Sequence, residues 1–80
     1  MQRFGEKLRT LRTQRGMTLR DLAEALGYVS YSYLGLLETG KKKPTAELVM
    51  KVAHLFQVTT DQLLWDHLDV EGVDRAELNE

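Results

Sequence analysis

The sequence predicts an all-α fold, with five short helices over residues 1–65 and an acidic tail over residues 66–80. Two patterns predict it. Apolar residues recur at intervals of three and four through the first 65 positions, and nothing alternates with period two over a useful length. Helix starts and stops also punctuate the chain, with Ser or Thr opening most runs and glycine closing three of them. Eighty residues, 42% of them apolar, suit one domain and leave no room for a second.

The first helix carries Phe4, Leu8 and Leu11 on one face, with Arg and Lys between them, and Gly16 ends the run. Thr18 and Asp21 are spaced nearly as a capping box ahead of Leu22, Ala23 and Leu26, and Gly27 stops that helix. Ser30 is placed to cap a third helix whose inward residues are Leu34 and Leu37, closed by Gly40. Pro44-Thr45 opens the fourth, where Val49, Val52, Ala53 and Phe56 form the stripe. Thr59 with Gln62 is a capping box for the fifth, which carries Leu63 and Leu64. The rest, WDHLDVEGVDRAELNE, reads as an extended arm or a disordered tail.

Charge separates the two parts. Residues 1–65 hold ten Lys or Arg against six acids, a net +4, whereas residues 66–80 hold one Arg against six acids, a net −5. The whole-chain net charge of −1 therefore conceals a basic globule. With no cysteine there is no disulfide framework and no thiolate metal site. The start MQRFGEKLRT lacks the apolar run of a signal peptide, and no stretch approaches the roughly 20 apolar residues of a membrane span. A cytoplasmic protein without a membrane partner is the expectation.

Helix two stops at Gly27 and helix three starts after Ser30, a connection short enough to fix their mutual angle. This is the helix-turn-helix pattern, in which the second helix enters the DNA major groove. The segments FGEKLRTLRTQRGMTLRDLAEALG, SYSYLGLLETGKKKP and VTTDQLL resemble the XRE family of DNA-binding domains, the group of the lambda-type phage repressors and Cro. The resemblance covers residues 4–64 and implies a lambda-repressor-like five-helix domain. It places Ser30 at the recognition-helix cap, Tyr31, Ser32 and Leu36 toward the bases, and Gly35 beside them. Thr39, Lys41 and Lys43 fall on its phosphate-contacting positions, and Lys42 and Tyr33 are taken with them. It also implies a partly buried ion pair between Arg12 and Glu38.

Two departures stand out. The turn is one residue longer than the commonest form, filled by Tyr28 and Val29. Helix two begins with Leu19 where the family often has a phosphate-binding Gln, and helix three has no Arg, Lys, Asn or Gln, the side chains that make most bidentate base contacts. Weak direct readout is the expectation. A lysine run is ordinarily a solvated loop, and the three tyrosines could serve packing alone. Lys41 to Lys43, however, directly follow the third helix, where phosphate contact would position the protein without specifying sequence.

Catalysis has no foothold in this sequence. His54 and His67 are the two histidines and are far apart along the chain, and no glycine-rich loop follows a strand. No metal, cofactor or small-molecule ligand is expected. Helix four carries more apolar surface than a core stripe needs, with Leu48, Met50 and Leu55, and Trp65, Leu68, Val70 and Val73 add more. Either the tail covers this surface within one chain, or Leu48, Leu55, Trp65 and Leu68 form the interface of a homodimer. The function expected is a transcriptional regulator, a repressor binding operator DNA as a homodimer. The alternative is a protein-interaction module on the same fold, an adaptor or antitoxin-like partner.

Overall fold

Helix follows helix without a strand among the residues described, which in this computed structural model are 2–27 and 29–70. The elements are α1 (Phe4–Gln14), α2 (Leu19–Ala25), α3 (Tyr31–Glu38), α4 (Ala46–Phe56) and α5 (Thr60–Leu64). Four of the five starts are capped by hydroxyls. Thr18 and Asp21 close a reciprocal capping box on α2, and Thr59 and Gln62 close another on α5. Ser30 Oγ accepts from Tyr33 N–H at 3.3 Å and Thr45 Oγ1 from Leu48 N–H at 3.1 Å. Each cap satisfies an amide that helix geometry leaves without a partner, and typically contributes about 1 kcal/mol.

The helix ends follow one design with one exception in residue type. Beyond α1 and α3, Gly16 and Gly40 take φ of +66° and +79°, and the next amide reaches back to Arg12 O and Leu36 O respectively. The same wrapped ending follows α4, but there Gln57 holds the left-handed conformation at φ +57° while Val58 N–H bonds Ala53 O. No glycine announces that stop in the sequence, since the packing of Val58 against the core fixes it instead.

Phe4, Leu8 and Leu11 of α1 meet Leu34 and Leu37 of α3, with Leu22, Val52, Phe56 and Leu63 filling the centre. Arg15, past the end of α1, lies over the Phe56 ring at 4.9 Å and so ties α1 to α4. The crossing of α1 on α3 is very close. A Cβ on Gly5 would collide with the backbone oxygens of Leu37 and Glu38, so this contact requires the missing side chain.

One expectation is corrected here. Leu48, expected in a dimer contact, is 4% exposed and belongs to the core of the single chain, because α4 turns it toward Tyr33 and Val29. Lys7, to which the sequence assigned no role, is 1% exposed. Its ammonium donates to Gln62 O at 2.5 Å and Trp65 O at 2.6 Å, supplying the end of α5 with the donors its last carbonyls lack. Loss of hydration, the largest influence, pushes the Lys7 pKa below its ordinary value.

The start of the expected tail is anchored to α1 rather than laid over α4. Arg3 donates its backbone N–H to Asp66 Oδ1 at 3.0 Å, Nη1 to Asp66 O at 2.7 Å and Nη2 to Asp69 Oδ1 at 3.1 Å. The Arg3 amide holds the Asp66 carboxyl below the usual carboxylate range. Val70 packs against the core. The donors that hold this segment are Arg3, the N-cap of α1, and Gln62 Nε2 on α5, which is why it lies there. Val73 and the acids from Glu71 onward lie outside the described residues.

Candidate nucleic-acid interface

The helix-turn-helix unit is α2 and α3 joined through Leu26–Ser30. Leu22, Ala23 and Leu26 of α2 bury against Leu34 and Leu37 of α3, so the angle between the helices is set by core packing. Val29 N–H bonds Ala23 O at 3.1 Å, which draws the longer turn back onto α2. Tyr28 lies outside the described residues. What remains outward on α3 is Tyr31, Ser32 and Leu36, with Tyr31 45% and Leu36 37% exposed.

The other site residues are placed less simply. Gly35 is half-buried and faces α2; a Cβ there would sit 3.7 Å from Leu19 Cδ1, an ordinary contact. Tyr33 is half-buried against the core. Ser30 spends its acceptor on the Tyr33 amide and keeps a hydroxyl proton to give. Thr39 is more committed, since its hydroxyl approaches Gly35 O and Leu36 O at 3.1 and 3.2 Å and its amide bonds Gly35 O. The amides of Lys41 and Lys42 share Leu36 O, so these residues can offer only ammonium groups to a phosphate. All three lysine side chains are exposed, and no carboxylate pairs with them among the described residues.

Beneath this surface Arg12 joins the end of α3 to α1. Its Nε and Nη2 donate to Glu38 Oε2 and Oε1 at 2.7 and 3.0 Å, and Nη1 donates to Met17 O at 2.8 Å. The side chains are 14% and 6% exposed, so this bidentate pair is largely removed from water. Hydrogen bonding to Glu38 raises the Arg12 pKa further above its ordinary value. The pair fixes where α3 ends and therefore where Lys41–Lys43 begin.

The sequence reading missed one exposed residue, Arg20, and named Met50 as surplus apolar surface without placing it in the dimer contact. Arg20, in the first turn of α2, lies over the Tyr31 ring at 4.9 Å, with Nη2 3.4 Å from the Tyr31 hydroxyl. A cation there opposes the positive end of the helix dipole, and this local misfit was the one available signal. Met50 of α4 is 64% exposed and lines an open apolar groove with Ala25, Leu26 and Leu55, rimmed by Lys51 and His54. Of the residues expected at a dimer contact, Trp65 is 57% exposed, while Leu55 and Leu68 are half-buried. Among the described residues no group of acids and histidines could hold a metal, and no helix is long and apolar enough to cross a membrane.

Comparison with known proteins agrees with this architecture. A family model described as Helix-turn-helix matches residues 8–63. The chain is 43% identical over 61 residues to the HTH-type transcriptional activator BcrR of Enterococcus faecalis, covering 76% of this chain and 29% of that protein. It is 33% identical over 60 residues to an uncharacterized HTH-type transcriptional regulator of Bacillus subtilis, YazB, covering 75% of this chain and 86% of that protein. The crystal structure of the clp gene regulator ClgR from C. glutamicum is similar at a TM-score of 0.67 and 40% identity, covering 79% of this chain and 80% of that one. The chain spans only 29% to 56% of the length of BcrR, of the HTH-type transcriptional regulator DdrOP3 of Deinococcus deserti and of the uncharacterized regulator YonR of Bacillus subtilis. Its five-helix order, its paired α2 and α3 and the match over residues 8–63 together show that the chain belongs to the XRE family of helix-turn-helix DNA-binding domains.

Proposed function

We propose that this chain is a sequence-specific regulator of transcription that inserts α3 into the major groove of operator DNA. The observation that carries this reading is the outward face of α3 followed directly by three exposed lysines that no carboxylate pairs with among the described residues. Tyr31, Ser32 and Leu36 face the bases with Gly35 beside them, while Ser30, Tyr33, Thr39 and Lys41 to Lys43 adjoin the phosphates. Lys41→Ala and Lys43→Ala are each expected to weaken binding about equally across sequences and to lower the salt slope by roughly one unit. Titration of labelled duplex at several salt concentrations measures both; a loss confined to one operator variant would contradict the assignment.

The chain acts as a homodimer in this reading. A two-fold pair would place two α3 helices about 34 Å apart, one turn of DNA. The exposed apolar surface of α4, with Met50 and Leu55, supports that contact, extended by Trp65 and Leu68. Met50→Glu is expected to shift a micromolar sample from dimer to monomer in analytical ultracentrifugation without lowering its melting temperature. A wild-type chain that sediments as a monomer at high concentration removes the dimer. Repression follows if the bound domain occludes the promoter. BcrR is an HTH-type transcriptional activator, so a reporter with the operator placed either over or upstream of the promoter decides the sign.

The exposed, apolar Tyr31 and Leu36 also fit a second reading, in which α3 meets a protein. Binding that is insensitive to salt and independent of duplex would favour it.

A further inference from the structure

We infer that Arg20 is a base-reading residue, directed at guanine, and that Tyr31 is its positioning residue. This rests on the DNA-binding reading above and supplies what α3 lacks within its own sequence, a side chain able to make two parallel hydrogen bonds to one base. Tyr31 is the first residue of α3, and the first turn of a recognition helix is the part that reaches base edges. The guanidinium of Arg20 lies over that ring with Cζ 4.9 Å from its centroid, so it is carried to the same end of the outward surface of α3. Its contact with the Tyr31 hydroxyl is long, at 3.4 Å, and leaves most of the N–H fork free.

Nothing on α2 neutralises this charge. The adjacent Asp21 carboxylate is committed to Thr18 N–H at 2.9 Å in the capping box, and no described carboxylate pairs with Arg20. A cation in the first turn of α2 is also misplaced for the stability of that helix. The other arginines with described acid partners, Arg3 and Arg12, hold α1 to the rest of the fold. Arg20 instead is solvent-exposed, unneutralised and oriented by an aromatic ring. The planar fork matches guanine O6 and N7, the commonest specific contact in the major groove.

The test begins with selection of bound duplexes from random DNA by the full chain, followed by affinities for the selected site and its single-base variants. Arg20→Gln removes the guanidinium fork and offers in its place an amide that matches adenine. It is expected to lose a preference of roughly 5- to 150-fold for guanine at one position of the site, with the salt slope unchanged. Tyr31→Phe keeps the stacking ring and should retain that preference, whereas Tyr31→Ala should lose it. A role in packing alone would not produce this pattern, and melting curves should show all three variants folded. If Arg20→Gln retains every base preference, or Arg20→Ala weakens all sequences alike and lowers the salt slope by about one, Arg20 does not read a base and the proposal is overturned alone. If the wild-type chain retains no duplex even at low salt, the DNA-binding reading fails and this proposal with it.

Discussion

Glu38→Ala is expected to destabilise the domain by about 3–5 kcal/mol, a large share of the ~5–15 kcal/mol available to a fold of this kind. The substitution leaves the Arg12 guanidinium largely buried with Met17 O as its remaining partner among the described residues and removes both bonds that fix the end of α3. The cost is that of an uncompensated buried charge, which is larger than the net worth of the pair. Replacing both residues separates these quantities. Arg12→Met with Glu38→Leu should recover most of the lost stability, because two desolvated charges and their attraction disappear together. At ~4–8 °C per kcal/mol, the single variant should melt more than 10 °C lower. A melting temperature within error of wild type would show that water reaches the pair freely. The double variant offers a second reading, since restored stability with weakened DNA binding would mean that the pair also sets the position of Lys41–Lys43.

Gly5→Ala is expected to cost about 3 kcal/mol or more, beyond the middle of the range for overpacked sites. The added methyl would collide with Leu37 O and approach Glu38 O, both backbone atoms at the end of α3 that cannot rotate away. In an open helix the same change would stabilise by roughly 0.5–1 kcal/mol, because alanine is the better helix former. Gly35→Ala provides that comparison within the same domain, with only an ordinary contact to Leu19 Cδ1. Chemical denaturation of the two variants should therefore give opposite signs. If Gly5→Ala is neutral, α1 and α3 can separate by a fraction of an ångström at little cost, and the close crossing does not define the fold. Relief by movement of α1 would also strain the Arg12–Glu38 pair, so the two substitutions should not be additive.

The helix boundaries were legible because their causes are local. Thr18, Ser30, Thr45 and Thr59 each cap a helix three residues ahead, and Gly16, Gly27 and Gly40 each stand where the chain takes a positive φ. The inward stripes were legible for a related reason. On α3, Leu34 and Leu37 are buried and Tyr31 and Leu36 are not, as a period of 3.6 demands. Helix four marks the limit of such reasoning. It is apolar over so much of its circumference that periodicity alone could not decide whether Leu48 or Met50 was surplus; the structure buries the first and exposes the second.

The sequence by itself determined the number of helices, their ends apart from that of α4, most of the residues that line the core and the placing of a lysine run after α3. Each depends on interactions within about four residues, or on an average over one helical face. Only the tertiary structure decided that Lys7 would be buried, because the carbonyls that hold it belong to residues 55 and 58 positions away. It alone decided that Gly5 could not be alanine, since the obstructing oxygens lie on α3. It also brought Arg20 over Tyr31, eleven residues along the chain, and so gave the outward face of α3 a guanidinium that the sequence of α3 does not contain. The physical reason is the same in each case. Hydrogen-bond caps and periodicity are properties of one helix, whereas the surroundings of a side chain are fixed by which other helix crosses it.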